Sequence, residues 1–172
     1  MLSGKLLVAN RGEIAIRVFR AAAEAGLGTV AVFPADDAAS LHTRKADVAH
    51  QLPGRGVAAY LDGDAIIAAA RATGANAIHP GYGFLSENAG FARRCAEAGL
   101  PFVGPDPATL ERFGDKHAAR ELAVSLGVPT LPGTASPTTV EKARAFLRAL
   151  GPKGAVMVKA VAGGGGRGMR PV

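Results

Sequence analysis

Tryptophan is absent from this 172-residue chain, and cysteine occurs once, at Cys95. A single thiol excludes an internal disulfide and any multi-cysteine metal site. Its position in a helical stretch suits a half-buried packing residue, because free cysteine is usually buried. Aromatic residues make up only 5% of the sequence, so a core of Val, Ile, Leu, Ala and Phe is expected. No apolar run reaches the roughly 18 residues of a membrane-crossing helix. The opening Met1–Lys5 has no signal-peptide layout, and a cytoplasmic location follows as the default expectation. His42, His50, His79 and His117 show no metal-ligand spacing. The first apolar run is not followed by G-x-G-x-x-G, which weakens a dinucleotide site. Gly163 to Gly168 begins like a P-loop, but Met169 and Arg170 stand where Lys and Ser/Thr would be needed.

Positive charge is in excess, at +6 with a pI near 10.0. The basic residues are scattered in pairs such as Arg17/Arg20, Arg93/Arg94 and Arg144/Arg148. None is interleaved with aromatics, so solvated helix faces explain them better than a nucleic-acid surface. A positive field also suits an anionic ligand.

Short apolar runs alternate with helical periodicity. Leu6–Ala9, Thr29–Phe33, Ala75–Ile78 and Pro101–Val103 read as buried strands, with Asp47–Leu52 at an edge. Helices are expected over Gly12–Ala25, where apolar Ile14, Val18, Ala21, Ala22 and Ala25 keep helical spacing, over Ser40–Ala46, and over Asp62–Ala72, capped by Asp62 or Asp64 with Ile66, Ile67 and Ala70 inward. A further helix runs from an N-cap at Ser86 to Ala98. Pro53–Gly56 reads as a loop. Continuously apolar strands joined by helices indicate an α/β fold, an open parallel sheet with helices on both faces. The rhythm changes after Gly104. Asp106-Pro107 opens a short helix to Phe113, Gly114-Asp115 opens another over Lys116–Leu126, and Thr138-Thr139-Val140-Glu141 reads as a capping box for a helix to Leu150. The domain boundary is expected near 104–114, dividing the chain into 1–104 and 105–172.

Four segments carry chemistry. Ala9-Asn10-Arg11-Gly12-Glu13-Ile14-Ala15 lies at a strand-to-helix turn, the ligand-facing edge of such sheets. His79-Pro80-Gly81-Tyr82-Gly83-Phe84 sets a tyrosine between two glycines at a strand's carboxyl end. Gly114-Asp115-Lys116 places a lysine in a helix's first turn, where the dipole disfavours it. Lys159 closes an apolar strand before Gly163–Gly166. Four consecutive glycines bury no side chain. Their backbone can approach an anion closely, and they can equally serve as a linker.

These segments, in this order, resemble the biotin carboxylase family, matching its N-terminal (pre-ATP-grasp, Rossmann-like) domain, a helical linker and the start of its ATP-grasp domain. The resemblance implies an ATP-dependent ligase. ATP and bicarbonate form carboxyphosphate, which supplies carbon dioxide to a ureido nitrogen of biotin on a carrier domain. Lys116 and Lys159 match ATP-contacting lysines. Gly163, Gly164, Gly165, Gly166 and Gly168 match the lid loop, and Met169 an adenine-pocket residue. Tyr82 and Gly83 match the surface near biotin and bicarbonate. Arg17, Arg20 and Phe84 fall where the homodimer contact lies.

Cofactors implied for the longer parent are ATP, Mg2+ and biotin. Implied partners are bicarbonate, the biotin carrier domain and a carboxyltransferase component, with neither nucleic acid nor membrane. The family's magnesium-binding glutamates, its catalytic base and its biotin-steadying arginine match no position here. Residues 1–172 are therefore expected to lack turnover, to supply no catalytic or metal residue, and to be least ordered at Gly163–Gly168. The segments Phe33–Asp37 and Pro53–Tyr60 depart from the family pattern and suggest a divergent multidomain acyl-CoA carboxylase. Two alternatives remain open, another ATP-grasp ligase such as carbamoyl-phosphate synthetase, and a module serving mainly dimer assembly.

Overall fold

Strand pairing starts at Lys5, where the apolar run Leu6-Leu7-Val8 drives β1 (Lys5–Val8) into the centre of a sheet. The structure is a computed structural model that describes residues 4–134, 137–160 and 168–172. The chain divides into two compact units, Met1–Leu110 and Glu111–Val172.

In the first unit β1 leads to α1 (Gly12–Glu24), β2 (Gly28–Phe33), two 3-10 turns, β3 (Val48–Gln51), α2 (Gly56–Leu61), α3 (Gly63–Thr73), β4 (Ala77–His79) and α4 (Ala89–Glu97). The sheet order is β3-β2-β1-β4, with every pairing parallel. One core cluster gathers Leu7, Val30, Val32, Tyr60, Ile66 and Ile78 with neighbours from α2, α3 and α4. The other sheet face holds a smaller cluster of Val8, Ala15, Phe19 and Ala31 under α1. Burying each such Leu, Ile, Val or Phe contributes about 1.5–3 kcal/mol. Helices thus lie on both faces of an open parallel sheet, as expected, and those at α3 and α4 bear most of the core.

Several local expectations are corrected. The stretch after Pro53 is not loop throughout, because Gly56–Leu61 forms α2 and buries Ala59 and Tyr60. The inward face of α1 is Ala15, Phe19 and Ala22. Ile14 and Val18 are half-buried, and Ala21 and Ala25 are exposed. Asn88, not Ser86, caps α4 by accepting from the Phe91 N–H at 2.8 Å. Ser40–Ala46 contains only a 3-10 turn, Leu41–Arg44. Pro101–Val103 is reduced to one parallel bridge between Ile78 and Phe102. Cys95 is fully buried rather than half-buried, and burial pushes its thiol up to about 11.

The helix α5 (Pro107–Gly114) spans the end of the first unit. The second unit contains α6 (Lys116–Ser125), α7 (Val140–Ala149) and an antiparallel hairpin of β5 (Met157–Lys159) and β6 (Met169–Pro171). The capping box at Thr138 does not form. Thr139 is the N-cap, accepting from the Lys142 N–H at 3.3 Å, because the helix begins one residue later. Among the described residues no helix is long and apolar enough to cross a membrane.

Candidate functional site

β1 sends its next strand, β2, to one side, while β4 lies on the other. Strand order reverses between β1 and β4, and open α/β sheets bind ligands in the crevice at the carboxyl ends of such strands. The two motifs of the first unit meet there. β1 delivers Asn10 and Arg11, and β4 delivers the loop from His79 to Phe84.

The loop is shaped by three residues in the left-handed region, Gly81 (φ 68°), Gly83 (φ 65°) and Phe84 (φ 45°). For glycine this costs no side-chain clash; for Phe84 it costs on the order of 1–2 kcal/mol. The surroundings supply the compensation. The Ala9 N–H donates to the His79 carbonyl at 2.8 Å. Asn10, 2% exposed, donates from Nδ2 to the Pro80 carbonyl at 2.8 Å and to the Tyr82 carbonyl at 2.9 Å. His79 Nδ1 accepts from the Gly81 N–H at 3.0 Å, which assigns the ring proton to Nε2. Burial lowers the His79 pKa and favours that neutral form. Tyr82 is left 61% exposed at the loop's tip.

A second cluster holds Phe84. Its ring stacks on Tyr60, with centroids 5.3 Å apart and planes 10° apart. The Tyr60 hydroxyl donates to Asp37 Oδ2 at 2.9 Å, and Arg11 pairs with the same oxygen at 3.1 Å. Arg11 also lies 5.9 Å from the Tyr60 ring centroid, within cation–π range. Burial tends to raise the Asp37 pKa, but the hydrogen bonds from Tyr60, Arg11 and Ser40 outweigh it and hold the carboxyl below its usual range. Burial and the Asp37 hydrogen bond push the Tyr60 hydroxyl well up, so it remains a donor. Asp37 and Tyr60 end the two segments that depart from the family pattern, but nothing in the sequence marks them as a hydrogen-bonded pair. A tyrosine followed by leucine in a short Ala-rich stretch was the available signal, obscured by the glycines before it.

Arg17 and Arg20 are exposed on α1. Arg17 lines a groove of about 540 Å3 with Val18, Ala21, His79 and Tyr82. Phe84 is half-buried and packs against the core cluster of the α2–α4 side.

In the second unit Asp115 caps α6 by accepting from the His117 and Ala118 N–H groups at 2.8 and 3.2 Å. That cap fixes Lys116 as the first helical residue. In the hairpin Lys159 is directly opposite Met169, so their side chains share one face. The Ala160 N–H donates to the Gly168 carbonyl at 2.8 Å, and Gly168 has φ 73°. Gly163, Gly164, Gly165 and Gly166, with the order expected of that loop, lie outside the described residues. Among the described residues no three His, Cys, Asp or Glu side chains gather as a metal site.

Residues 3–110 match the family model "Biotin carboxylase, N-terminal domain", and residues 115–172 match "Carbamoyl-phosphate synthase L chain, ATP binding domain". The chain is 51% identical over 173 residues to a pyruvate carboxylase of Schizosaccharomyces pombe, an alignment covering 98% of this chain and 14% of that protein. It is similar to the biotin carboxylase domain of a single-chain bacterial carboxylase (59% identity, TM-score 0.84, 86% of this chain and 34% of that one). It is also similar to the biotin carboxylase domain dimer of Hydrogenobacter thermophilus 2-oxoglutarate carboxylase, solved with MgADP, ADP and bicarbonate (44% identity, TM-score 0.91, 98% of this chain and 37% of that one). The chain therefore spans about one-seventh of the length of the curated relatives it matches.

Proposed function

Because this chain belongs to the biotin carboxylase N-terminal domain family, we propose that it serves in an ATP-dependent ligase that carboxylates biotin on a carrier domain, with bicarbonate as the carbon source. The observation that carries this reading is the order of the two matches, a biotin carboxylase N-terminal domain leading directly into an ATP-binding domain. We place the boundary near 104–114, with 1–104 as the first domain and 105–172 as linker and ATP-binding start. The end of the compact first unit at Leu110 supports that placement.

Lys116 and Lys159 neutralise phosphate charge, Gly163–Gly166 and Gly168 cover it, and Met169 packs on the adenine. The shared face of Lys159 and Met169 in the hairpin supports this pairing of roles. Tyr82 and Gly83 form the biotin-side surface at the switch point. Arg17, Arg20 and Phe84 contribute to a homodimer contact, for which the exposure of the two arginines is the support. When bound, Mg2+ supplies charge neutralisation on the phosphates. The described residues of this chain offer no carboxylate cluster to hold it, and no role for them toward the metal follows. The carrier domain and a carboxyltransferase act as partners in the parent, and the lone cysteine fits a reducing compartment such as the cytoplasm.

The test is bicarbonate fixation onto biotin by the full-length carboxylase carrying this chain. Lys159→Ala should raise the KM for ATP by about 10- to 100-fold, the scale of one lost charged hydrogen bond. An unchanged KM would remove Lys159 from the nucleotide site. Residues 1–172 alone should fix no bicarbonate, and measurable turnover by them would refute that. If ammonia replaced biotin as the acceptor, the chain would belong to a carbamoyl-phosphate-forming ligase instead.

A further inference from the structure

Asn10 turns both donors and the oxygen of its carboxamide to backbone. Both Nδ2 hydrogens go to carbonyl oxygens, of Pro80 and Tyr82, and Oδ1 accepts the Arg11 N–H at 2.9 Å. Carbonyls only accept and an N–H only donates, so the amide orientation is fixed by its partners. The contact is close enough to constrain composition. A Cβ at Gly81 would come within 2.6 Å of Asn10 Nδ2 and 2.9 Å of its Cβ. Asn10 thus reaches across the switch point from the end of β1 and grips a loop 70 residues away in sequence.

What the grip leaves over is informative. The Tyr82 carbonyl is used, but the Tyr82 and Gly83 N–H groups have no hydrogen-bond partner among the described residues, and both residues are exposed. Two backbone donors on a loop held from behind can meet an acceptor oxygen, such as a urea-type carbonyl or a carboxylate. Gly83 and Phe84, both at positive φ, follow the gripped carbonyl directly. Slack at that carbonyl would therefore re-aim the donors.

We infer that Asn10 is a positioning residue for the biotin-side surface: its carboxamide holds the Pro80 and Tyr82 carbonyls and thereby sets where the Tyr82 and Gly83 N–H groups meet the acceptor substrate. This rests on the proposed reading of the 79–84 loop as the biotin side. Asn10 touches no reacting atom and acts only through the loop.

Asn10→Asp keeps the side chain's shape and its bond to the Arg11 N–H, but sets a carboxylate oxygen against two carbonyls. In the full-length carboxylase the KM for biotin should rise tenfold or more, with the KM for ATP within twofold. In the 172-residue chain the 1H–15N resonances of Gly81–Phe84 should shift, while those of Ile66 and Ala70 in α3 remain. Unmoved loop amides in a folded Asn10→Asp chain, or KM values for biotin and ATP rising in proportion, would overturn the inference. If the loop amides move and the biotin KM does not, the grip stands and the biotin-side reading falls. Should the variant fail to fold, the unmutated chain decides. The Asn10 carboxamide protons should then exchange at least 100-fold more slowly than those of exposed Asn88, and equal rates would sink the idea.

Discussion

A histidine that accepts a hydrogen bond at Nδ1 must stay neutral to keep it. His79 does so toward the Gly81 N–H, and burial lowers its pKa. Buried His42 is lowered too, chiefly by desolvation; its Nε2 meets the Val32 carbonyl at 3.2 Å, and its Nδ1 has no partner among the described residues. A histidine whose pKa is lower in the folded state than the roughly 6.5 of an unfolded chain makes the unfolded state bind more protons. Its contribution is complete above that value and is lost as pH falls through the folded pKa. Denaturant midpoints should therefore be flat from about pH 7 to 8 and decline below about 6.5. The C2 proton of His79 should titrate below 6.5, and titration at or above that value would contradict the assignment. Tyr60→Phe removes the hydroxyl donor to Asp37 while keeping the ring on Phe84. It should cost about 1 kcal/mol, the net worth of one such bond. It should also let the Asp37 pKa rise, measurable by carboxyl 13C shifts; an unmoved Asp37 would show that Arg11 and Ser40 alone hold it down.

Capping shows at the element scale what a single sequence discloses. Asp62 was legible as one of two caps for α3, and it is the one used, accepting from the Asp64 and Ala65 N–H groups at 3.1 and 3.0 Å. Gly74 ends the same helix in the left-handed region. Asp62→Ala should destabilise the chain by about 1 kcal/mol, read as a shifted urea midpoint with unchanged slope. No shift would mean that packing of Ile66 and Ala70 alone fixes the helix start. Where two cap residues stood close together the choice failed. Asn88 displaced Ser86 because Gly83 and Leu85 accept the Ser86 and Asn88 N–H groups in a turn before the helix begins. The covered face of α1 is not legible for a different reason. Val18, Ala21 and Ala25 are helically spaced, yet they line the groove, while Phe19 makes the contact with the sheet. Apolar periodicity marks a stripe but cannot say which part of it another element covers. The site was legible only in pieces. Both switch-point motifs stood out by composition, but their junction through Asn10 depends on β1 and β4 pairing. The Tyr60–Asp37–Arg11 contacts depend on a helix hidden behind Pro53-Gly54-Arg55-Gly56.

At the scale of the whole chain, burial is distributed very unevenly. Every buried apolar residue among those described lies at or before Leu110. In the second unit α6 and α7 bury none of their residues, and β5 and β6 are exposed throughout. Helices of ten residues are marginal without a packed face, and a two-stranded hairpin alone is no better. The matched region is only about one-seventh of the relatives' length. In residues 1–172 the cooperative transition should then belong to the first unit alone. A chain of residues 1–110 should keep the melting midpoint of the 172-residue chain within about 4 °C, a shift that corresponds to less than roughly 1 kcal/mol for a domain of this size. Amide exchange should show deep protection in β1, β2 and α3 and little in α6 and α7. Two results would overturn this division. One is loss of the transition in 1–110. The other is protection of α7 equal to that of α3, which would require a fully buried face where α7 has only the half-buried Ala143, Phe146 and Leu147.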